Sequence, residues 1–248
     1  MKAKVSLGLV GLFLIFSILA CDLSVGNLAG GQSVRGSGSV VEESRSVSGV
    51  SKVELAMPGT LHISIGSSEE LQIEAEDNLL EYIQTNVRGN TLRIETQRGI
   101  NLQATRPIEY YLTVAELEAV DISSSGDVEV KDLESESFSA SISSSGNLLI
   151  SNLVGDSLQV NISSSGDLDI LGGEVKEQTI RLSSSGEYHA RDLASTGADV
   201  TLSSSGDATV RVSERLTGRL SSSGNLYYIG NPNLDVSMSS SGRTEQID

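Results

Sequence analysis

Apolar and polar residues alternate along most of the chain from residue 47 onward, and a Ser-Ser-Ser-Gly motif recurs within that alternation. Alternation with a period of two predicts β-strands that bury one face. The motif copies are spaced by 20, 20, 20, 20, 18 and 18 residues, and they begin at Ser123, Ser143, Ser163, Ser183, Ser203, Ser221 and Ser239. Each short unit holds too few apolar groups to bury a core alone, so neighbouring units are expected to stack as rungs of a solenoid.

Stacking places equivalent positions of successive rungs in columns along the solenoid. The apolar residue before each motif predicts one inward column: Ile122, Ile142, Ile162, Leu182, Leu202, Leu220 and Met238. The second serine of each motif shares this parity, which predicts an inward ladder of hydroxyls that need hydrogen-bond partners. The motif glycine is expected to allow a positive φ at the corner. Parallel rungs are favoured, and a sandwich of hairpins is the alternative.

Residues 47–116 lack the motif but continue the strand alternation, whereas residues 117–248 hold the seven motif-bearing rungs. A turn is predicted at Pro58–Gly59, and strands are predicted at Thr91–Glu95 and Ile108–Val114. The stretch Asp77–Ile83 predicts a single helical turn with Asp77 as its cap. Together, residues 47–248 are expected to form one β-solenoid domain.

This domain resembles a known bacterial family. Leu61–Gly66 (Leu-His-Ile-Ser-Ile-Gly) and Ile73–Leu80 (Ile-Glu-Ala-Glu-Asp-Asn-Leu-Leu) precede the Ser-Gly-rich strands. That order is similar to the "putative auto-transporter adhesin, head GIN domain" family, often found on lipoproteins and secreted proteins. The resemblance covers about residue 47 to the C-terminus. It implies an all-β fold, a single-stranded right-handed parallel β-helix, and an adhesin-like role.

The N-terminus predicts export and lipidation. Lys2 and Lys4 precede an apolar run at Val5–Leu19, which is short for a membrane-spanning helix and typical of a signal peptide over residues 1–20. The single cysteine of the chain, Cys21, follows Ile-Leu-Ala, as in the bacterial lipobox. The resemblance implies cleavage before Cys21 and lipidation of its thiol, while an ordinary secreted protein is the alternative. Residues 21–46, rich in glycine and serine, are expected to form a flexible tether.

The formal charge of −16 becomes −18 when residues 1–20, which carry two lysines, are removed. An acidic surface repels phosphate backbones, so nucleic acid is not an expected partner. Anionic lipid would be repelled as well, so the lipid anchor rather than surface charge is expected to hold the protein at a bacterial membrane or cell surface.

Motifs for catalysis are missing from the sequence. His62 and His189 lie in different segments, Cys21 is the only thiol, and neither zinc spacings nor phosphate-binding glycine loops occur. We therefore predict that the protein is not an enzyme and has no resident cofactor.

The best candidate for a ligand site is the column that follows each motif glycine, with its carboxylates at Asp127, Asp167, Glu187 and Asp207. Carboxylates one rung apart, about 4.8 Å, repel by roughly 0.9 kcal/mol in water. A bound Ca²⁺ would relieve this repulsion. Solvated turn residues without a ligand are the alternative interpretation.

The leading functional hypothesis is a non-catalytic envelope lipoprotein that acts as a binding, adhesion or structural module and contacts envelope polysaccharide or protein. One alternative is protein–protein assembly through the ends or edges of the solenoid. Another is a carbohydrate-active enzyme, which rests on the analogy with other β-helices alone.

Overall fold

The computed structural model of the protein describes residues 31–239 and 241–248. The predicted signal peptide at residues 1–20 and the lipidation site at Cys21 lie outside the described residues. The described part contains no helix long and apolar enough to span a membrane.

Nineteen strands and one short 3-10 helix make up the described fold. The strands are β1 (Gln32–Arg35), β2 (Val40–Arg45), β3 (Lys52–Ala56), β4 (Thr60–Ile65), β5 (Glu70–Glu76), β6 (Ile83–Arg88), β7 (Thr91–Thr96), β8 (Ile100–Gln103), β9 (Glu109–Val114), β10 (Ala119–Ile122), β11 (Asp127–Ile142), β12 (Leu148–Ile162), β13 (Leu168–Ile170), β14 (Gly173–Leu182), β15 (Tyr188–Leu202), β16 (Ala208–Leu220), β17 (Leu226–Ile229), β18 (Asn233–Met238) and β19 (Thr244–Gln246).

From β10 onward the strands pair in parallel with strands one rung away, which confirms the predicted all-β solenoid. The solenoid has about six turns, with partners about 20 residues apart. Ile122 pairs with Ile142, and Ile142 in turn pairs with Ile162. Because the chain direction is the same in successive rungs, the sandwich of antiparallel hairpins is wrong.

The predicted inward columns form the core. The column that begins at Ile122 is buried as far as Leu220, and at most 2% of each of these side chains is exposed. In the last rung, Met238 is 52% exposed and Leu234 is 49% exposed, because no further described rung covers them. The apolar alternation therefore sets the rung register, and every rung except the last is covered on both sides.

The motif glycines do not have a positive φ, so the expected role at the corner is wrong. Their role is close approach between rungs. A Cβ on Gly146 would lie 2.0 Å from the carbonyl oxygen of Gly126, and one on Gly166 would lie 2.0 Å from that of Gly146. Later copies repeat this contact at 2.2 Å. Glycine is required here because backbone packs directly on backbone.

The second serine of each described motif is half-buried, and the ladder at this corner runs through the backbone. The N–H of Gly166 donates to the carbonyl of Ser144 at 3.1 Å, and the same bond recurs in later rungs. In the first rung the hydroxyl of Ser124 donates to the carbonyl of Met57 at 2.8 Å. The backbone of the preceding turn therefore satisfies this hydroxyl.

At the N-terminal end, antiparallel strands extend the parallel sheets. β5 pairs with β9 and β2 pairs with β5, while β6 pairs with β7. The flexible tether predicted for residues 21–46 is therefore wrong over residues 32–45, which form β1 and β2 with a short connection. Residues 21–30 lie outside the described residues. β1 pairs in parallel with β8.

The predicted helical turn is a 3-10 helix at Leu80–Tyr82 whose N-cap is Leu79, and no side chain caps it. Asp77 is not the cap, because its carboxylate accepts hydrogen bonds from the Ser37 hydroxyl and the Asn78 N–H instead. The residue thus ties the N-terminal strands to the solenoid.

A buried carboxylate completes this junction. Glu76 accepts hydrogen bonds from the Gly38 N–H at 2.6 Å and from the Thr105 N–H at 2.8 Å. The Thr105 hydroxyl also donates to it, and this bond together with the backbone N–H groups lowers the pKa of Glu76 to about 2. These hydrogen bonds favour the ionised carboxylate. They also hold the Gly38 segment and the Thr105 segment against the Glu76 side chain.

Candidate functional site

The predicted carboxylate column lies on the outer side of one sheet of the solenoid. Asp127, Asp167, Glu187 and Asp207 are half-buried and stand at or just before the start of successive strands. They share a column because each rung repeats the same path after the motif glycine. The structure therefore brings them into line as predicted.

One side-chain oxygen of each of Asp127, Asp167 and Asp207 accepts a hydrogen bond from the backbone of the next rung. The Asn147 N–H donates to Oδ1 of Asp127 at 3.0 Å, and the Glu187 N–H donates to Oδ1 of Asp167 at 2.8 Å. The Asn225 N–H donates to Oδ1 of Asp207 at 2.7 Å. This arrangement favours a short acceptor side chain at every rung, which explains the run of Asp and Asn.

The column continues into strands that carry no motif. β5 and β2 align Glu74 and Glu42 with Glu109 of β9, and Thr60 of β4 joins Glu109 to Asp127. From sequence alone these residues were missed, because the strands lack the Ser-Ser-Ser-Gly landmark and two of them run antiparallel. The carboxylates of β5 and β2 can be seen in the sequence, but the sequence does not show with which residues of β9 these strands pair.

A second outward column runs beside the first, two residues further along each parallel strand. We call the two columns together the acidic face. The first column is Glu42, Glu74, Glu109, Thr60, Asp127, Asn147, Asp167, Glu187, Asp207, Asn225 and Arg243. The second column is Ser44, Gln72, Tyr111, His62, Glu129, Leu149, Asp169, His189, Thr209, Tyr227 and Glu245. The two columns together contain ten carboxylates and one guanidinium, that of Arg243, so the electrostatic potential at this surface is strongly negative.

Another sheet of the solenoid is electrically balanced. We call its two outward columns, from β7 to β18, the balanced face. Its four acidic residues are Glu54, Asp121, Asp199 and Asp235, and its four basic residues are Lys52, Arg93, Arg181 and Arg219. The excess negative charge is therefore not spread evenly around the solenoid.

Both histidines of the chain lie in the second column of the acidic face, although they are far apart in sequence. His62 contacts Glu109 through Nε2 at 3.0 Å and Glu129 through Nδ1 at 3.1 Å, and its ring stacks on Tyr111. His189 contacts Asp169 through Nδ1 at 3.0 Å and Glu187 through Nε2 at 2.9 Å. Each imidazole therefore bridges two carboxylates.

A multidentate metal centre is not assembled on this face. Among residues 31–239 and 241–248, no group of three or more His, Cys, Asp or Glu residues is placed to hold a metal ion. Asp167, Glu187 and Asp207 point along the ladder and bind N–H groups or His189, so they do not converge on one point. Calcium binding by this column stays a prediction. In the structure, Asp167 and Asp207 accept hydrogen bonds that join successive rungs.

Comparisons with known proteins agree with the fold. The sequence profile of the family described as "Putative auto-transporter adhesin, head GIN domain" matches residues 49–232. No curated protein matches the chain.

Solved structures of other proteins resemble the chain over most of its length. A structure described as a "putative adhesin" from Bacteroides fragilis is 21% identical with a TM-score of 0.79, and the match covers 86% of this chain and 100% of that one. A "Putative lipid binding protein" from Parabacteroides distasonis is 21% identical with a TM-score of 0.72, over 88% of this chain and 100% of that one. At these identities the likeness establishes the fold.

Proposed function

The chain belongs to the family described as "Putative auto-transporter adhesin, head GIN domain", and from that premise we propose that it is a non-catalytic envelope lipoprotein. Its role is to bind positively charged groups of a cell-envelope component through the acidic face. The family and the similar structures are described as adhesins or binding proteins rather than enzymes, which supports a binding or adhesion module.

The observation that carries this proposal is the fixed row of carboxylates. Ten carboxylates are held along eleven neighbouring strands, while the balanced face of the same solenoid carries equal numbers of acids and bases. Since the rungs are bonded to one another through the backbone, the charges keep their spacing without a ligand. A preorganised row of one sign attracts and orients a partner of the opposite sign.

Cys21 is the proposed attachment site of the lipid anchor. Lipidation of its thiol would hold the protein at a membrane, and β1 begins at Gln32, so ten residues lie between Cys21 and the first strand. Ten residues reach at most about 33–36 Å when fully extended. The N-terminal end of the solenoid would therefore stay near the membrane, and the motif-bearing rungs would lie further out.

A binding screen tests the proposed function. The full-length protein in mild detergent is presented to peptidoglycan, to envelope glycans and to an envelope protein extract, with and without calcium, and released products are measured in the same wells. We expect saturable binding without turnover, weakened between low and high salt because exposed charges are screened within about 10 Å at 0.1 M. Product release, or binding that ignores salt, would contradict the proposal.

A further inference from the structure

The outermost strand of the acidic-face sheet has an open edge. β2 pairs with β5 on one side, and no other described strand pairs with it. Its six residues, Val-Val-Glu-Glu-Ser-Arg, keep a continuous register with β5, without a bulge. Proteins commonly protect an exposed edge with charged side chains, proline, a bulge or a covering segment. β2 carries Glu42, Glu43 and Arg45, but it has no proline and no bulge.

The hydrogen-bond register identifies which backbone groups face outward. The Asp77 N–H donates to the carbonyl of Ser39 at 2.9 Å, so these two residues form a hydrogen-bonded pair at the end of the β2–β5 ladder. In an antiparallel ladder such pairs alternate with residues whose N–H and C=O point away from the partner. Val40, Glu42 and Ser44 therefore present their backbone groups to the open edge.

Side chains of β2 define the chemistry of this edge. Val40 and Val41 are 47% and 39% exposed, so both offer apolar surface. The Glu43 carboxylate is neutralised by Arg45 at 2.7 Å, whereas Glu42 is exposed and aligned with Glu74 of β5. The edge thus combines free backbone groups, exposed valines and an unneutralised pair of neighbouring carboxylates.

Charge argues against a second copy of the chain at this edge. If two β2 strands paired antiparallel through their outward backbone groups in the register centred on Glu42, Glu42 would lie directly opposite Glu42 of the other copy. Like charges in directly opposed positions destabilise a strand pair. A lysine or arginine opposite Glu42 would instead contact a carboxylate that already repels Glu74.

We propose that the edge of β2 accepts an extended basic segment of a partner protein by strand addition. The partner's backbone pairs with Val40, Glu42 and Ser44. One of its lysines or arginines lies opposite Glu42, and its apolar side chains, which alternate with the basic ones, cover Val41 on the other face of the strand. Main-chain bonds of this kind supply affinity, and the side chains supply specificity. The inference rests on the proposed binding function and names the partner class at one end of the acidic face.

Fluorescence anisotropy with short labelled peptides tests this inference on the full-length protein in mild detergent. One probe alternates lysine with valine, and the control probe alternates glutamate with valine. Ser44→Pro removes an outward N–H but no β2–β5 bond, and the matched control Ser44→Ala keeps that N–H. Circular dichroism melting verifies that each variant is folded.

We expect the basic probe to bind saturably and the acidic probe not to bind. Ser44→Pro should weaken binding of the basic probe at least tenfold, Glu42→Gln should weaken it severalfold, and Ser44→Ala should leave it unchanged. Equal binding of the basic probe by Ser44→Pro and Ser44→Ala would overturn the inference. Failure of the basic probe to bind would also overturn it, and this is the result expected if residues 1–30 of the chain occupy the edge instead of a partner. Salt-sensitive binding of envelope components that persists in either case would leave the proposed function standing without the edge.

Discussion

Replacing Gly166 with alanine directly perturbs the contact between rungs. The added Cβ would lie 2.0 Å from the carbonyl oxygen of Gly146, 2.8 Å from Cγ2 of Ile142 and 2.9 Å from the carbonyl oxygen of Ser144. Two of these three atoms belong to the backbone, so no rotamer change can relieve the overlap. The rungs must separate locally or the corner must change its path.

The expected cost follows from the bonds at that corner. The Gly166 N–H donates to Ser144 at 3.1 Å and the Ser163 N–H donates to Ile142 at 2.9 Å, and separating the rungs weakens both. Each such bond contributes about 0.5–1.5 kcal/mol net. Overpacking adds about 1–3 kcal/mol. Gly166→Ala should therefore lower the free energy of unfolding by about 2–6 kcal/mol, compared with the roughly 5–15 kcal/mol total stability typical of a folded protein.

Gly172 offers a matched control on the same rung. A Cβ there would lie 3.7 Å from the nearest atom, the carbonyl oxygen of Ser151, and its φ is not positive. Gly172→Ala should change the free energy of unfolding by no more than about 0.5–1 kcal/mol. Urea unfolding of both variants, followed by far-ultraviolet circular dichroism, measures the difference. If Gly166→Ala is as stable as Gly172→Ala, the backbone packing of the motif glycines is refuted.

Other predictions concern the junction, the core and the anchor. Because the pKa of Glu76 is lowered to about 2, its stabilising contribution is complete above the ordinary value of 4.5 and is lost as the pH falls from there towards 2. Glu76→Gln should flatten the pH dependence of unfolding in that window, and an unchanged profile would contradict this. Tyr188→Phe should cost about 1–3 kcal/mol, because its hydroxyl donates to the buried Gln178 Oε1 at 2.7 Å. Gln178→Leu should lower the free energy of unfolding less in the Tyr188→Phe variant than in the wild-type protein. Strictly additive effects of the two substitutions in urea unfolding would refute the pairing of Tyr188 with Gln178. Cys21→Ser should move the protein from the membrane fraction to the soluble fraction, and continued membrane association in carbonate-washed fractions would argue against lipidation.

The rungs were predictable because stacking converts a sequence spacing directly into neighbourhood in space. Ile122, Ile142 and Ile162 are buried and paired as their spacing indicates. The roles of the motif glycines were not predictable, because a glycine in a sequence does not distinguish a positive φ from a close approach. Gly146 serves the second purpose, since its Cα faces the carbonyl of Gly126.

Core polarity shows a further limit of the sequence. Gln178 interrupts an otherwise apolar inward column, yet it is buried and both polar atoms of its side chain are hydrogen-bonded. Its amide donates to the Ser195 hydroxyl at 2.9 Å and accepts from Tyr188, which belongs to a different column. A period of about 20 residues predicts contacts within a column, whereas contacts across the interior depend on side-chain lengths.

The acidic face was partly predictable for the same reason. Asp127, Asp167 and Asp207 follow the motif and so fall in one column. Glu42 and Glu74 join that column only through antiparallel pairing, which has no repeat to reveal its register. The difference in charge between the acidic face and the balanced face could therefore be recognised only from the structure.

Binding of isolated cell envelopes by charge-neutralised variants tests the central claim most directly. One variant combines Asp167→Asn, Glu187→Gln and Asp207→Asn on the acidic face. The control combines Asp121→Asn, Asp199→Asn and Asp235→Asn, which removes the same charge from the balanced face. We predict that the first variant loses most of the salt-sensitive binding while the control retains it, both remaining folded. Equal binding by the two variants would show that the acidic face is not the binding surface.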